Sequence, residues 1–131
     1  MSELISGMTN KVTAKVDEEK LAVNVGSGTL RVLATPAVAA LMEKAACELV
    51  QPYLPEEITT VGTMISIDHI SATPFGADIS AQAKLVDIAD RKFTFELTAY
   101  DNAGVIAKGR HERFSVKAER FMEKTEKKVE G

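Results

Sequence analysis

The sequence predicts an α+β domain in which one long helix is wrapped by a curved antiparallel β-sheet. Residues 35–52 carry apolar side chains at helical spacing, and the segments that follow alternate apolar and polar residues between short turns. A single helix with one apolar face is stable beside a sheet only when the sheet covers that face. The 131 residues suffice for one domain, residues 1–131, with a sizeable core.

The first quarter of the chain gives weaker signals than the rest. Residues 1–9 are predicted to be a flexible terminus. Residues 10–25 alternate apolar and polar positions around a charged run at residues 17–20, which predicts two extended pieces joined by a turn. A Gly-Ser-Gly break at residues 26–28 then leads to the approach of the long helix.

The ends of the long helix are marked by capping residues. Thr35 is predicted to be the N-cap, because its hydroxyl can accept from a free amide of the first turn. Pro36 fits the first helical position, and Pro52 closes the pattern. The main apolar stripe consists of Val38, Leu41, Met42, Ala45 and Leu49.

Glu43 is a carboxylate on the flank of this buried stripe. Its helical neighbours are all small or apolar: Ala39, Ala46, Cys47 and Val50. A desolvated carboxylate is costly unless it is paired or used. The pattern therefore leaves two interpretations open, a functional acid or base and a flank residue paired with a lysine or arginine.

The strands follow the helix in a meander. Residues 60–71 form the clearest strand, with Val61, Thr63, Ile65, Ile67 and His69 predicted to face the helix. Residues 77–88, 92–101 and 105–117 give three more strands joined by tight turns. The tail, residues 118–131, is predicted to be a short helix anchored by Phe121 and Met122.

Composition and charge narrow the possible partners and location. The formal net charge is −3 and no basic block stands out before the C-terminus, so we expect no nucleic-acid partner. No stretch approaches the length of a membrane span, and the N-terminus lacks the features of a signal peptide. A single cysteine, Cys47, excludes an internal disulfide and favours a reducing cytoplasm. Exposed sheet edges favour pairing into a homodimer.

Three sequence blocks together resemble a known family. LATPAVAALMEKAA, VGTMISIDHISATPFG and the ending GRHERF are similar to the hotdog-fold acyl-CoA thioesterases of the fluoroacetyl-CoA thioesterase type, from about Val25 to the C-terminus. The resemblance implies a hotdog fold, a homodimer with active sites at the subunit interface, and hydrolysis of acyl-CoA thioesters. It also implies that no metal or cofactor is needed, since coenzyme A is part of the substrate.

The resemblance assigns roles to individual residues. The family's catalytic positions fall on Thr35, Glu43 and His69, and its substrate-binding positions fall on Gly62 and Arg113, with His111 beside Arg113. Without the family, the more ordinary interpretations are a helix cap for Thr35, a hydrogen-bonded core or interface histidine for His69, and an exposed or interface pair for His111 and Arg113.

Thioester hydrolysis needs a base, hydrogen-bond donors for the oxyanion and a dry pocket. Glu43 can supply the base, and amides of the first helical turn or of Gly62 can supply the donors. Thr35 is either a covalent nucleophile or a residue that positions water. Thr35 and Glu43 lie about 12 Å apart along one helix, so a direct relay requires a second subunit or water. The alternatives are a non-catalytic acyl-CoA or small-ligand binding protein and a hotdog dehydratase or hydratase.

Overall fold

The structure is a computed structural model that describes residues 3–130. The elements in chain order are β1 (Thr9–Lys15), the short helix α1 (Ala22–Val25), the long helix α2 (Thr35–Val50), β2 (Ile58–His69), β3 (Asp78–Ala89), β4 (Lys92–Asp101), β5 (Gly104–Lys117) and α3 (Ala118–Glu126). No helix in this part of the chain is long and apolar enough to cross a membrane.

The five strands form one antiparallel sheet in the order β1-β3-β4-β5-β2, so β1 and β2 are its edges. Helix α2 packs mainly against β3 and β1. The inward residues predicted on β3 and β4 are all buried against it: Ile79, Ala81, Ala83, Leu85, Phe93, Phe95, Leu97 and Ala99. Alanines at three of these positions let the helix approach the sheet closely. The predicted architecture of one helix on an antiparallel sheet is therefore confirmed. The predicted meander of four strands was wrong, because β2 pairs with β5 and not with β3.

The start of α2 differs from the prediction. The N-cap position is Ala34, and no side chain caps the helix. The Ala34 carbonyl accepts the first helical hydrogen bonds from the amides of Ala37 and Val38. Thr35 is already the first helical residue, and its hydroxyl bonds to His69 instead of a backbone amide. The N-cap prediction for Thr35 was therefore wrong, and its hydroxyl contacts the His69 side chain instead.

A β-bulge changes the phase of β2 and corrects the prediction for its first half. The pairing with β5 shifts between Gly62 and Met64, so that Thr63 is the extra residue. Gly62 lies opposite Arg113, and Ile65 lies opposite His111. Opposed residues in a ladder point to the same face. Gly62 therefore faces the helix, as Ile65 does, where unbroken alternation placed it on the other side.

The segment before α2 is helical where a second extended piece was predicted. Leu21 is fully buried and pairs with Leu33 in an isolated bridge, and α1 begins at the next residue. Val23 and Val25 are each 42% exposed, so their alternation with Leu21 does not mark a core-facing strand. Gly26, with φ of 90°, ends α1 in the left-handed conformation that glycine adopts without strain.

The two ends of the described chain also differ in how they are held. The amide of Gly7 donates to the carbonyl of Leu85, and the amide of Leu85 donates to the carbonyl of Met8, so pairing with β3 begins before β1. The tail does form a helix, α3, but Phe121 and Met122 are 37% and 50% exposed. The prediction that these two side chains anchor the tail was therefore wrong.

Candidate active site

The first part of the candidate site joins the start of α2 to the end of β2. The Oγ1 atom of Thr35 lies 2.7 Å from Nδ1 of His69, which is hydrogen-bond distance. His69 reaches the helix because it is the last residue of β2 and faces the helix side of the sheet. Its other ring nitrogen, Nε2, is buried and has no hydrogen-bond partner among residues 3–130. The sequence placed both residues in the site but did not predict their direct contact.

Thr35 and His69 line a cavity of about 250 Å³. Its other walls come from α1, the approach to α2 and the segment after β2, and they include the small residues Ala22, Ser27, Ala34, Ser71 and Ala72. The sequence did not single out these lining residues, because they lie in irregular segments without a periodic pattern. The small side chains leave room for a substituent beside the Thr35 hydroxyl.

The second part of the candidate site surrounds Glu43 in the middle of α2. The Oε2 atom of Glu43 lies 4.0 Å from Nη1 of Arg113, and the side chains are 41% and 9% exposed, respectively. In the single chain the Glu43 side chain is therefore not buried in the apolar surroundings that its helical neighbours predicted. Glu43 is paired with an arginine, as one interpretation predicted. That arginine is itself a residue of the candidate site, so the pairing is also compatible with a functional role.

Arg113 is held by a network of hydrogen bonds. Its Nε donates to Oγ1 of Thr60 at 2.9 Å, and its Nη2 donates to the carbonyl of Thr60 at 3.0 Å. Its Nη1 donates to Nε2 of His111 at 3.2 Å. Thr60 was missed by the sequence prediction, because unbroken alternation along β2 turned it away from the helix.

His111 is fully buried, and both of its ring nitrogens have partners. Nδ1 donates to the carbonyl of Met64 at 2.8 Å, which leaves Nε2 as the acceptor for Arg113 and makes the ring neutral. Burial lowers the pKa of His111, and the Arg113 charge lowers it further, against the opposing effects of the Met64 hydrogen bond and of Glu43 and Glu112. Both ring nitrogens already have hydrogen-bond partners, so neither is free to bind a substrate directly.

Gly62 allows the Glu43 carboxylate to approach the sheet. A Cβ atom at this position would lie 2.9 Å from Oε2 of Glu43, 3.2 Å from Cε1 of His111 and 3.3 Å from Nη1 of Arg113. The value of glycine here is the close approach, since the backbone of Gly62 has no positive φ. Gly62, Glu43, His111 and Arg113 thus form one cluster.

The two parts of the site do not meet within one chain. Helix α2 is continuous from Thr35 to Val50, so Thr35 and Glu43 are separated by about two turns, roughly 12 Å. The cavity beside Thr35 and His69 does not reach Glu43. A larger depression of about 410 Å³ lies at β1, β3 and the end of β4 and involves none of the candidate residues. No group of three or more metal-binding side chains is assembled within residues 3–130.

The fold and this site define a hotdog-fold protein of the thioesterase class. A hot-dog-like protein from Thermanaerovibrio acidaminovorans superposes with a TM-score of 0.87 over 96% of this chain and 93% of that chain, at 20% identity. At that identity, the likeness supports the fold alone.

The chain belongs to the family of fluoroacetyl-CoA-specific thioesterases, whose sequence model matches residues 16–119. It is 33% identical over 98 residues to the fluoroacetyl-CoA thioesterase of Streptantibioticus cattleyicolor, covering 75% of this chain and 70% of that protein. A threonine-to-serine variant of the fluoroacetyl-CoA thioesterase FlK in complex with acetyl-CoA superposes with a TM-score of 0.91 at 26% identity, covering 95% of this chain and 98% of that chain. The family predicted from the three sequence blocks is confirmed.

Proposed function

We propose that this protein hydrolyses the thioester bond of a small or medium acyl-CoA. The observation that carries the proposal is the 2.7 Å contact between the Thr35 hydroxyl and Nδ1 of His69 beside a cavity of about 250 Å³. A hydroxyl paired with an imidazole is the arrangement that activates an oxygen nucleophile. The solved complex of a related thioesterase with acetyl-CoA supports an acyl-CoA as the substrate.

The proposed reaction proceeds in two steps that share one proton carrier. The Thr35 oxygen attacks the carbonyl carbon, and its proton moves to Nδ1 of His69. The C–S bond breaks, and the leaving thiolate takes that proton. Water then cleaves the acyl–Thr35 ester, again through His69, and restores the hydroxyl. If Thr35 only positions water, the same proton transfer applies to water and no acyl–threonine forms.

The proposed chemistry requires a carboxylate partner for His69, and residues 3–130 of the same chain place none at its Nε2. When Nδ1 accepts from Thr35, the neutral ring carries its proton on Nε2, which is the buried nitrogen without a partner. An unpaired buried donor is costly, and a carboxylate partner would also stabilise the imidazolium. We assign this role to Glu43 of the partner subunit in a homodimer. The proposed reaction uses no metal or cofactor, because carboxylate and imidazole supply the required acid–base chemistry.

The free edge of β2 favours such a dimer and suggests its register. Antiparallel pairing of two β2 strands about a twofold axis at Ser66 places Ile65 opposite Ile67 of the partner subunit. The extra residue at Thr63 then brings His69 opposite Gly62 of the partner subunit, beside its Glu43. Ile65 is 36% exposed in the single chain and would be covered by this contact.

The function is tested by measuring free-thiol release from a panel of acyl-CoA esters. We expect turnover with short acyl groups, and a loss of about 10²–10⁴-fold in kcat for His69→Ala. Mass spectrometry of Thr35 in the steady state separates a covalent acyl–threonine from attack by water. Saturable ligand binding without hydrolysis of any ester would instead support a non-catalytic binding protein, and hydration of an enoyl-CoA would support a hydratase.

Complementation tests whether the site is shared between subunits. A Thr35→Ala/His69→Ala chain and a Glu43→Gln chain are each expected to be inactive. When they are unfolded together and refolded as random dimers, about one quarter of wild-type activity should return, because half of the dimers are mixed and each has one intact site. Absence of recovery, with mixed dimers demonstrated, would show that each chain contains its own complete site.

A disulfide tests the proposed register directly. The two copies of residue 66 would face each other across the twofold axis at a Cα separation of about 4.5–5.5 Å, which a disulfide can span. Ser66→Cys is therefore expected to form a covalent dimer under mild oxidation, whereas Asp68→Cys is not. The wild type provides the control for its own Cys47, which has a free thiol in the structure. We place the protein in the reducing cytoplasm, where such a thiol persists.

A further inference from the structure

His111 has no role in the reaction proposed above, although it is the most completely enclosed titratable side chain near Glu43. Its ring is fully buried and lies 5.8 Å from the ring of Phe95. Burying an imidazole is costly unless both nitrogens are satisfied. Both are satisfied here, one by the Met64 carbonyl and one by Arg113. A buried polar group with such specific partners fixes the geometry of those partners.

Arg113 is the group whose geometry is fixed. Two of its nitrogens are held by Thr60, through the hydroxyl and the carbonyl. The third, Nη1, lies between Nε2 of His111 at 3.2 Å and Oε2 of Glu43 at 4.0 Å. A planar guanidinium held at three nitrogens has little freedom to rotate. The side of Arg113 that faces Glu43 is therefore set by Thr60 and His111.

We propose that His111 is a positioning residue of the thioesterase reaction: its neutral Nε2 holds Arg113 in the orientation that places the Glu43 carboxylate. This inference rests on the proposed function and deepens it. It gives His111 an indirect role through Arg113, where the family resemblance implied a contact with substrate. Arg113 is the ion-pair partner of Glu43, with Nη1 4.0 Å from Oε2, so the orientation of the guanidinium sets where the carboxylate meets its positive charge.

The arrangement requires His111 to be neutral. The charged groups around the ring are Glu43 from α2 and Arg113 and Glu112 from β5, whereas β2 contributes the Met64 carbonyl and β4 the Phe95 ring. A proton on Nε2 would turn this acceptor into a donor facing the donor Nη1 of Arg113. The hydrogen bond would be lost and two positive charges would face each other. Activity should therefore fall when His111 takes up a proton at acidic pH.

Two substitutions separate the partners of the ring. His111→Asn retains a short amide that can donate to the Met64 carbonyl but removes the acceptor for Arg113. His111→Gln extends an amide oxygen toward the former Nε2 position. We expect His111→Asn to lower kcat by about 10–100-fold with KM within about twofold of wild type, because small displacements of a catalytic group have effects of this size. His111→Gln should recover most of the loss, and Arg110→Gln, on the exposed face of the same strand, should resemble wild type.

The opposite results would overturn the proposal. A folded His111→Asn protein with wild-type kcat would show that the ring does not position Glu43. A rise in KM at constant kcat would show that it contacts substrate. If His111→Asn does not fold, Thr60→Val tests the dependence of kcat on the orientation of Arg113, because it removes the hydroxyl that holds Nε of Arg113, and the ¹⁵N spectrum of wild type tests His111 itself.

A spectroscopic measurement distinguishes failure of this inference from failure of the proposed function. In wild type, ¹⁵N resonances of His111 should show a proton on Nδ1, and the ¹⁵Nε signal of Arg113 should be protected from exchange and should shift in Glu43→Gln. These results are expected even if no ester is hydrolysed. A proton on Nε2 at neutral pH, or an Arg113 signal that does not respond to Glu43→Gln, would contradict the inference whatever the activity.

Discussion

The two parts of the site differ in how the chain supports them. Thr35 and His69 lie at element ends beside an open cavity, and a single hydrogen bond joins them. The groups behind Glu43 are buried on the inner face of the sheet, where Arg113 donates three hydrogen bonds and His111 donates one more. In the proposed reaction the first part holds or positions the nucleophile and needs access. The second part holds a charge in place and needs a rigid support.

This difference predicts how substitutions act. A change at Thr35 or His69 removes chemistry and leaves the fold nearly intact, because little else depends on those side chains. A change at Arg113 or His111 leaves buried donors or acceptors unpaired, and the cost appears in the free energy of unfolding. Glu43 lies in the second part but is itself 41% exposed, so a substitution there should affect activity more than stability.

The largest expected effect comes from Glu43→Gln. This change removes the carboxylate but keeps the shape of the side chain, so kcat should fall by about 10²–10⁴-fold with little change in melting temperature. Glu48→Gln is a matched control, since Glu48 lies on the same helix and also has an ion-pair distance of 4.0 Å, to Lys44. Thiol-release kinetics and thermal unfolding measure both quantities. A control variant that loses as much activity would contradict the assignment of Glu43.

A second comparison sets Arg113→Met against Thr35→Val. Arg113→Met leaves both acceptors of Thr60 and Nε2 of His111 without donors, so it should lower the free energy of unfolding by about 3 kcal/mol. Thr35→Val removes one exposed hydroxyl and should lower the free energy of unfolding by less than about 1 kcal/mol, although it should abolish most activity. Urea denaturation measures both values. Equal costs would mean that the two parts of the site are supported alike.

The sequence predicted the parts of the fold that follow a simple period. Residues 79–85 and 93–99 alternate, and their predicted inward residues are all buried. In β3 this alternation ends where the pairing with β4 shifts after Leu85. The first half of β2 was assigned to the wrong faces, because the bulge at Thr63 leaves no mark in the sequence. Residues 21–25 alternate like a strand, but only Leu21 is extended, in its bridge to Leu33, and α1 begins at Ala22.

The contacts of the site were less predictable than its members. That Thr35 and Glu43 could not touch within one helix followed from helical rise alone. The contact between Thr35 and His69 depends on where β2 ends relative to the start of α2, which no local pattern encodes. The pairing of Thr60 with Arg113 depends on the register between β2 and β5 and on the bulge within it. Such contacts between distant segments become visible only when the sheet is assembled.

Gly62→Ala changes the second part of the site and is expected to have an intermediate effect on kcat. The new Cβ would lie 2.9 Å from Oε2 of Glu43, so the carboxylate must move, and kcat should fall by about tenfold. The backbone of Gly62 has no positive φ, so the cost to stability should stay near 1 kcal/mol.

A double-mutant cycle identifies the cause of that loss. In a Glu43→Ala background the displaced atom is gone, and Gly62→Ala should then cost less stability than in wild type. An undiminished cost would place the clash at His111 or Arg113, whose atoms lie 3.2 and 3.3 Å from the same position.

The smallest expected effect is a pH dependence of stability that originates in His111. Burial lowers the pKa of His111 in the folded protein below its ordinary value of 6.5, so the unfolded chain takes up a proton at higher pH than the folded chain does. The unfolded state is therefore favoured as pH falls below about 6.5, and the contribution is fully present above that pH. His111→Gln cannot titrate, so its melting temperature should decrease less than that of wild type between pH 7 and pH 5. Parallel decreases would show that acid destabilises the fold through other groups. A difference confined to this window would identify His111 as the point at which the supporting part of the site responds to acid.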